Sequence, residues 1–183
     1  MTEDDPDAEL VAQVGRGDAL AVRRLVAKKL PRLTALAYRL LGDAFEAEDV
    51  AQETFVRLWR TAARWQPGRA RLDTWLHIVA LNLCRDRMQR RRETAMAEPP
   101  DQSDPAPLAD HAMEADERAA VVSAAVAALP ERQREAIVLQ YYQGLSNIVA
   151  AKVMSVSVEA IEALLARGRR TLRAKLGGVA HDE

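Results

Sequence analysis

One stretch near the middle of the chain limits its architecture more than any other. Glu98-Pro99-Pro100-Asp101-Gln102-Ser103-Asp104-Pro105-Ala106-Pro107 holds four prolines and no basic residue. It suits neither a helix interior nor a packed core, and it reads as a flexible, extended, acidic linker over residues 96–112. Each side must therefore bury its own apolar surface. On both sides apolar residues recur every three or four positions, the period of an amphipathic helix. With 49% hydrophobic but only 4% aromatic residues, helix is favoured over strand throughout. The expected fold is all-α: two small helical domains, residues 1–95 and 113–183, joined by that linker.

Charge follows the same division. The formal net charge is −1, but residues 1–95 carry 17 basic and 14 acidic side chains, residues 96–117 carry seven acids and no base, and residues 118–183 carry nine bases and six acids. Two basic blocks flank an acidic strip, and the local field, more than the total, steers a polyanion.

In the first block a short helix is expected over 7–15, and Asp18 is placed to cap a long helix marked by Leu20, Leu25, Leu33, Leu36, Leu40 and Leu41, interrupted or bent near Pro31 and closed by Gly42. The next, roughly Phe45 to Arg64, puts Ala47, Val50, Ala51, Thr54, Phe55, Leu58 and Ala62 on one side. Glu46, Asp49, Glu53, Arg57 and Arg60 lie on the other. Its clustered acids either answer the helix dipole or form a docking surface for a basic partner helix. After the Trp65–Arg71 loop comes a helix over 72–92. Leu72, Leu76, Val79 and Leu83 form its core stripe, while Trp75, Ile78, Asn82, Arg85, Gln89 and Arg92 share another face, and it ends in Arg90, Arg91 and Arg92. Residues 66–92 hold seven Arg against two Asp, so a basic loop feeding a basic helix can follow a phosphate backbone and offer side chains to a base.

In the second block a helix is expected over Met113–Ala128. Pro130 opens a second at its first helical position, running to Gly144. Ser146 caps a short helix to Met154, Ser155-Val156-Ser157 turns, and a last helix runs from about Val158 to Leu176. There Ile161, Leu164, Leu165, Gly168, Leu172 and Leu176 line one side and Glu159, Ala163, Arg167 and Arg170 the other. A short helix, a tight turn and a longer helix with a basic outer face form a helix-turn-helix pattern.

The segments Ala47–Phe55 (AEDVAQETF), Thr74–Asp86 (TWLHIVALNLCRD), Leu129–Ala136 (LPERQREA) and Gly144–Ser146 resemble the extracytoplasmic-function branch of bacterial sigma-70 RNA polymerase sigma factors. The resemblance runs from about Asp7 to Leu176. It implies that Asp49, Gln52 and Glu53 dock on core RNA polymerase. It also implies that the loop of residues 66–73 and the helix behind it, notably Asn82, capture an unstacked base of the promoter's minus-ten element. Arg69, Arg71, Trp75 and Arg85 complete that minus-ten set. By the same resemblance the last helix reads duplex minus-thirty-five DNA through Glu162, Ala163, Ala166, Arg167 and Arg170, and an anti-sigma protein controls the chain.

The chain departs from the family pattern in three places. Glu162, Ala163 and Leu164 stand where Lys or Arg, Ser and Arg are common, and Leu72 stands where an aromatic is frequent. Asn147, Ile148 and Val149 replace the usual acids, and Ile148 and Val149 read either as a partner contact or as ordinary core.

Enzymatic chemistry finds no support: His77, His111 and His181 are scattered, Cys84 is the sole cysteine, and no Gly-rich phosphate loop or paired ligand spacing appears. No cofactor or metal is expected, Cys84 reads as a small buried side chain, and no apolar run reaches membrane-span length, so a cytoplasmic protein without membrane insertion is expected. Two other readings stay open from the residues themselves: an autonomous helix-turn-helix regulator, and a helical protein-interaction module.

Overall fold

The computed structural model describes residues 5–66, 68, 70–97 and 115–177, and every regular element among them is helical. Four helices form the first half: α1 (Ala8–Gly15), α2 (Ala19–Leu41), α3 (Ala44–Ala62) and α4 (Leu72–Ala97). The second half holds α5 (Ala115–Ala127), α6 (Glu131–Ile137), a π-helical turn (Val138–Tyr142), α7 (Asn147–Met154) and α8 (Val158–Gly177). The linker expected over 96–112 lies, beyond Ala97, outside the described residues, as does Arg69. No helix among the described residues is long and apolar enough to cross a membrane.

Local chemistry sets the helix ends. Asp18 accepts hydrogen bonds from the Leu20 and Ala21 amides and starts α2, and Gly42, at φ 71°, closes it by donating to the Tyr38 carbonyl. The expected interruption at Pro31 is absent: α2 is one helix. Pro31 and Ala27, whose carbonyl loses its partner there, are both exposed, so water can take up the unpaired oxygen. Asp43 caps α3 through the Glu46 amide. α4 runs past Arg92 to Ala97, because Glu93–Ala97 are tolerant of helix and Gln89 bonds Glu93 at 2.9 Å one turn on. Pro130 sits at the N-cap of α6, one position before the expected place.

The core gathers the predicted stripes. All seven residues expected on the inner side of α3 are buried, with Leu25, Leu33, Leu36 and Leu40 of α2 and Leu72, Leu76 and Leu83 of α4 packed in the same cluster. Leu72 is fully buried, so the position where an aromatic is frequent belongs here to the core. At the edge of this bundle Gly15 lies against the end of α3: a Cβ there would sit 2.7 Å from the Ala62 carbonyl oxygen. Backbone cannot swing aside as a side chain can. Gly15→Ala is therefore expected to lose about 1–3 kcal/mol of stability, read as a lower urea midpoint at unchanged slope; an unchanged midpoint would show that the two helices are not held this closely.

The acidic N-terminus does more than add charge. Asp5 accepts from the Leu72 amide at 2.7 Å and so covers the start of α4. Lys29, 8% exposed, bridges Asp7 and Asp73 at 2.5 Å each, while Lys28 takes the other Asp7 oxygen. Burial alone would raise the Asp7 carboxyl, but the two ammonium groups outweigh it and hold the group below its ordinary value.

In the second half the expected helix from Glu131 to Gly144 loses its regular register after Ile137. The π-helical turn closes with Gln143 donating to the Val138 carbonyl, and the Gln143 side chain ends 3% exposed. The helix-turn-helix corner forms as expected. Ser146 caps α7 through Val149, Ser155 adopts φ 55°, and Ser157 receives the Ala160 amide at the start of α8. Ile161, Leu165 and Gly168 are buried. Ile148, left open between core and surface, is 72% exposed, whereas Val149 packs partly against the core.

Candidate functional site

Three surfaces carry the residues singled out above. On the first half of α3, Gln52 and Glu53 follow Asp49 by one turn, away from the residues that fill the core. Asp49 and Gln52 are exposed, and Glu53 is paired with Arg57 at 2.9 Å. They line a groove of about 470 Å³ whose other wall is α4, with Leu83, Asp86, Arg87 and Arg90, and whose floor includes Val56. A lining of three carboxylates, three guanidinium groups and two aliphatic side chains suits a partner helix that carries both basic and acidic side chains.

The second surface surrounds the loop between α3 and α4. Arg71 supplies the carbonyl that receives the Trp75 amide at the first turn of α4. Trp75 is half-buried and meets Trp65 edge to face, with ring centroids 5.9 Å apart. The two rings, with Arg60, Thr61, Arg64, Gln66 and Ala70, enclose a cavity of about 440 Å³. The buried Trp65 Nε1 has no hydrogen-bond partner among the described residues. Aromatic walls, an unused donor and two guanidinium groups can hold a nucleobase with its phosphates. Arg60, Arg64 and Trp65 were not placed in the minus-ten set from the sequence. The signal was there in part: all three tryptophans, Trp59, Trp65 and Trp75, lie close to this loop in a chain poor in aromatics.

Asn82 projects, exposed, from the same helix. Arg85 is in a different situation. Its Nε and Nη2 donate to the two oxygens of Glu135 on α6 at 2.7 and 2.8 Å, and Glu135 is fully buried. Those bonds, more than burial opposes, push the Arg85 guanidinium above its already high value. Part of the α4 face expected to meet nucleic acid is thus covered by the second half. His77 is buried in the same seam, its Nδ1 2.6 Å from the Asp73 carbonyl and its Nε2 3.1 Å from Gln143 Oε1. Burial pushes it below the usual histidine range. Cys84, two turns farther along α4, is fully buried, and burial pushes its thiol up to about 12, so it is no nucleophile.

The third surface is α8. Glu162, Ala163, Ala166, Arg167 and Arg170 are all exposed, and Arg167 Nε donates to the Ala163 carbonyl one turn back. Gly168 keeps the opposite side close to α6, where a Cβ would come 2.9 Å from Ile137 Cγ1. The face is short in bulk and rich in guanidinium, as a helix entering a major groove requires.

Comparison with known proteins places both halves of the chain in one family. Residues 25–94 match the family model of sigma-70 region 2, and residues 119–172 that of sigma-70 region 4. The chain is 36% identical over 153 residues to the ECF RNA polymerase sigma factor SigE of Mycolicibacterium smegmatis, covering 81% of this chain but 59% of that protein. It is 30% identical to the ECF RNA polymerase sigma factor SigW of Bacillus subtilis, over 91% of this chain and 94% of the relative. The solved structure of CnrH in complex with the cytosolic domain of CnrY superposes with a TM-score of 0.73 at 30% identity, over 95% of this chain and 99% of CnrH. The chain belongs to the extracytoplasmic-function branch of the sigma-70 family of RNA polymerase sigma factors.

Proposed function

We propose that the chain is a promoter-specificity subunit, without enzymatic activity of its own, that binds core RNA polymerase and directs it to open a promoter in the cytoplasm. Asp49, Gln52 and Glu53 dock on the polymerase. The loop between α3 and α4, with Arg69, Arg71, Trp75, Asn82 and Arg85, takes an unstacked base of the minus-ten strand, and Glu162, Ala163, Ala166, Arg167 and Arg170 read the minus-thirty-five duplex. The observation that supports this best is the presence, on one chain, of a groove beside the exposed acids of α3 and an exposed basic helix in a helix-turn-helix. A groove whose three carboxylates balance three guanidinium groups offers a polyanion no net attraction and suits a protein partner, whereas α8 favours DNA. The Trp65–Trp75 cavity adds a stacking site for a base extruded from the duplex. A regulator acting alone would have no use for the groove, and a pure adaptor none for α8.

Control by an anti-sigma protein is part of this proposal. CnrH was solved with the cytosolic domain of CnrY, and the likeness spans both halves of the present chain, so a partner of that kind is expected to bind across them.

Run-off transcription with reconstituted core polymerase, followed by sequencing of start sites, tests the proposal. Core alone is expected to give no specific start and core with the chain a defined one; no defined start would overturn it. In the same assay Asn82→Ala is expected to lower promoter opening about 10- to 100-fold, the loss of one base contact worth about 1–3 kcal/mol, with core binding unchanged. Wild-type transcription from this variant would remove Asn82 from the base-capture set.

A further inference from the structure

The segment from Asp5 to Gly15 touches both ends of the loop between α3 and α4. Where the loop ends, Asp5 Oδ2 accepts from the Leu72 amide at 2.7 Å, across 67 positions of sequence, while its Oδ1 accepts from the Asp7 amide at 3.0 Å. Leu72 is the first residue of α4, and Arg71 before it has no side-chain oxygen with which to cap that helix. The acceptor comes instead from Asp5, itself buried. Two positions on, the buried Asp7 is joined through Lys29 Nζ to Asp73, the second residue of α4. Where the loop begins, Gly15 lies against the end of α3. A Cβ on it would stand not only against the Ala62 carbonyl oxygen but 3.2 Å from Ala63 Cα. That same Ala62 oxygen receives the Trp65 amide at 3.1 Å. Between the two ends runs α1, a rod about 12 Å long, with Val11 and Val14 sunk in the core.

We propose that Asp5, Asp7 and Gly15 make α1 a brace that fixes the spacing and direction of the minus-ten loop, and so act as positioning residues for base capture without touching DNA. The proposal rests on the assignment of that loop to an unstacked minus-ten base. A base is read by groups that must be held to within about 0.5 Å, and side chains on a loop reach that only when the ends of the loop are fixed. Trp65 leaves the chain just past Ala62, and Trp75 leaves the first turn of α4, so the width of the cavity between them follows from how far apart those two points stand. α1 holds one point with a carboxylate and the other with a close backbone contact that only glycine allows. The bond from Asp5 to Leu72 is buried, so water does not replace it when the carboxylate is removed. The apolar grip of α1 comes from Val11 and Val14, so loss of the Asp5 carboxylate loosens the loop and leaves the core filled.

The test uses holoenzyme reconstituted from core polymerase and the full chain, on a promoter found by start-site sequencing and on templates carrying each base in turn across the minus-ten and minus-thirty-five elements. Asp5→Ala is expected to lower initiation from the preferred minus-ten sequence about tenfold and to flatten the preference among minus-ten bases. Preference at the minus-thirty-five element and retention on immobilised core polymerase are expected to stay at the wild-type level, a split that general loss of structure would not give. Gly15→Ala, acting at the other end of the loop, is expected to show the same split. Circular dichroism and a thermal melt establish that each variant is folded. Should Asp5→Ala fail to fold, Asp5→Asn carries the test: its one acceptor oxygen cannot serve the Leu72 and Asp7 amides as two carboxylate oxygens do, and a smaller change in the same direction is expected. Folded variants that keep the wild-type minus-ten preference, or that lose both preferences alike, overturn the brace and leave the base-capture reading standing. A wild-type holoenzyme with no preference at the minus-ten element defeats the base-capture reading itself, and the brace with it.

Discussion

Asp49→Arg combined with Glu53→Arg is expected to abolish co-purification of the chain with core RNA polymerase, a loss of at least about 100-fold in affinity. The double change moves the α3 face by four charges at the mouth of a groove that also holds Arg57, Arg87 and Arg90. Near a protein surface two unit charges at about 4 Å interact by about 4 kcal/mol. Turning even one such attraction into repulsion exceeds the 2.7 kcal/mol that corresponds to about 100-fold. Folding is expected to survive. Both side chains point away from the residues of α3 that fill the core, and the Glu53–Arg57 pair that is lost contributes about 0.3–0.5 kcal/mol. The measurement is retention of the variant on immobilised core polymerase beside the wild type, with a thermal melt of each. Normal retention would remove the docking assignment from α3.

The seam explains which parts of the molecule the sequence displays and which it hides. α3 was legible to the residue because it buries a single face: Ala47, Val50, Ala51, Thr54, Phe55, Leu58 and Ala62 all point inward, and one buried stripe on a helix is what a period of 3.6 encodes. The corner at Ser155–Ser157 was legible because a tight turn between two capped helices leaves its own local chemistry. α4 was legible by half. Leu72, Leu76 and Leu83 of its expected stripe are in the core and Val79 packs partly against it, but His77, Leu81, Cys84 and Met88 are buried as well. A helix covered on two sides has no strong single periodicity.

The hidden part is polar. Arg85, Glu135, His77 and Gln143 look like surface residues in any local reading, because what buries each is a partner 50 to 66 positions away. Asp5 and Asp7 are a similar case: an acidic run at a chain end reads as a solvated tail until Leu72, Lys28 and Lys29 meet it. The π-helical turn that points Gln143 inward has no composition of its own to announce it, since Val138–Tyr142 would serve equally in an α-helix. For the candidate site the same division holds: acids on α3 and cations on α8 were visible as runs along one element, while the cavity between Trp65 and Trp75 needs the loop to fold back.

Arg167→Glu combined with Arg170→Glu is expected to reduce transcription from a promoter with a minus-thirty-five element by at least about 100-fold while core binding stays at the wild-type level. Both side chains lie on the exposed face of α8, away from Ile161, Leu165 and Gly168, so the substitutions leave the core intact. Two cations are exchanged for two anions, and the plot of log affinity against log salt should lose about two units of slope. Glu162 separates positioning from reading on the same helix. A carboxylate can accept from a cytosine amino group, so Glu162→Ala is expected to relax the preference at one base pair, by about 1–3 kcal/mol, and leave the salt slope nearly unchanged. Electrophoretic mobility shift of the polymerase holoenzyme across a salt series measures both effects. An unaltered slope in the double-arginine variant would show that α8 does not lie against the phosphates, whatever the rest of the chain does.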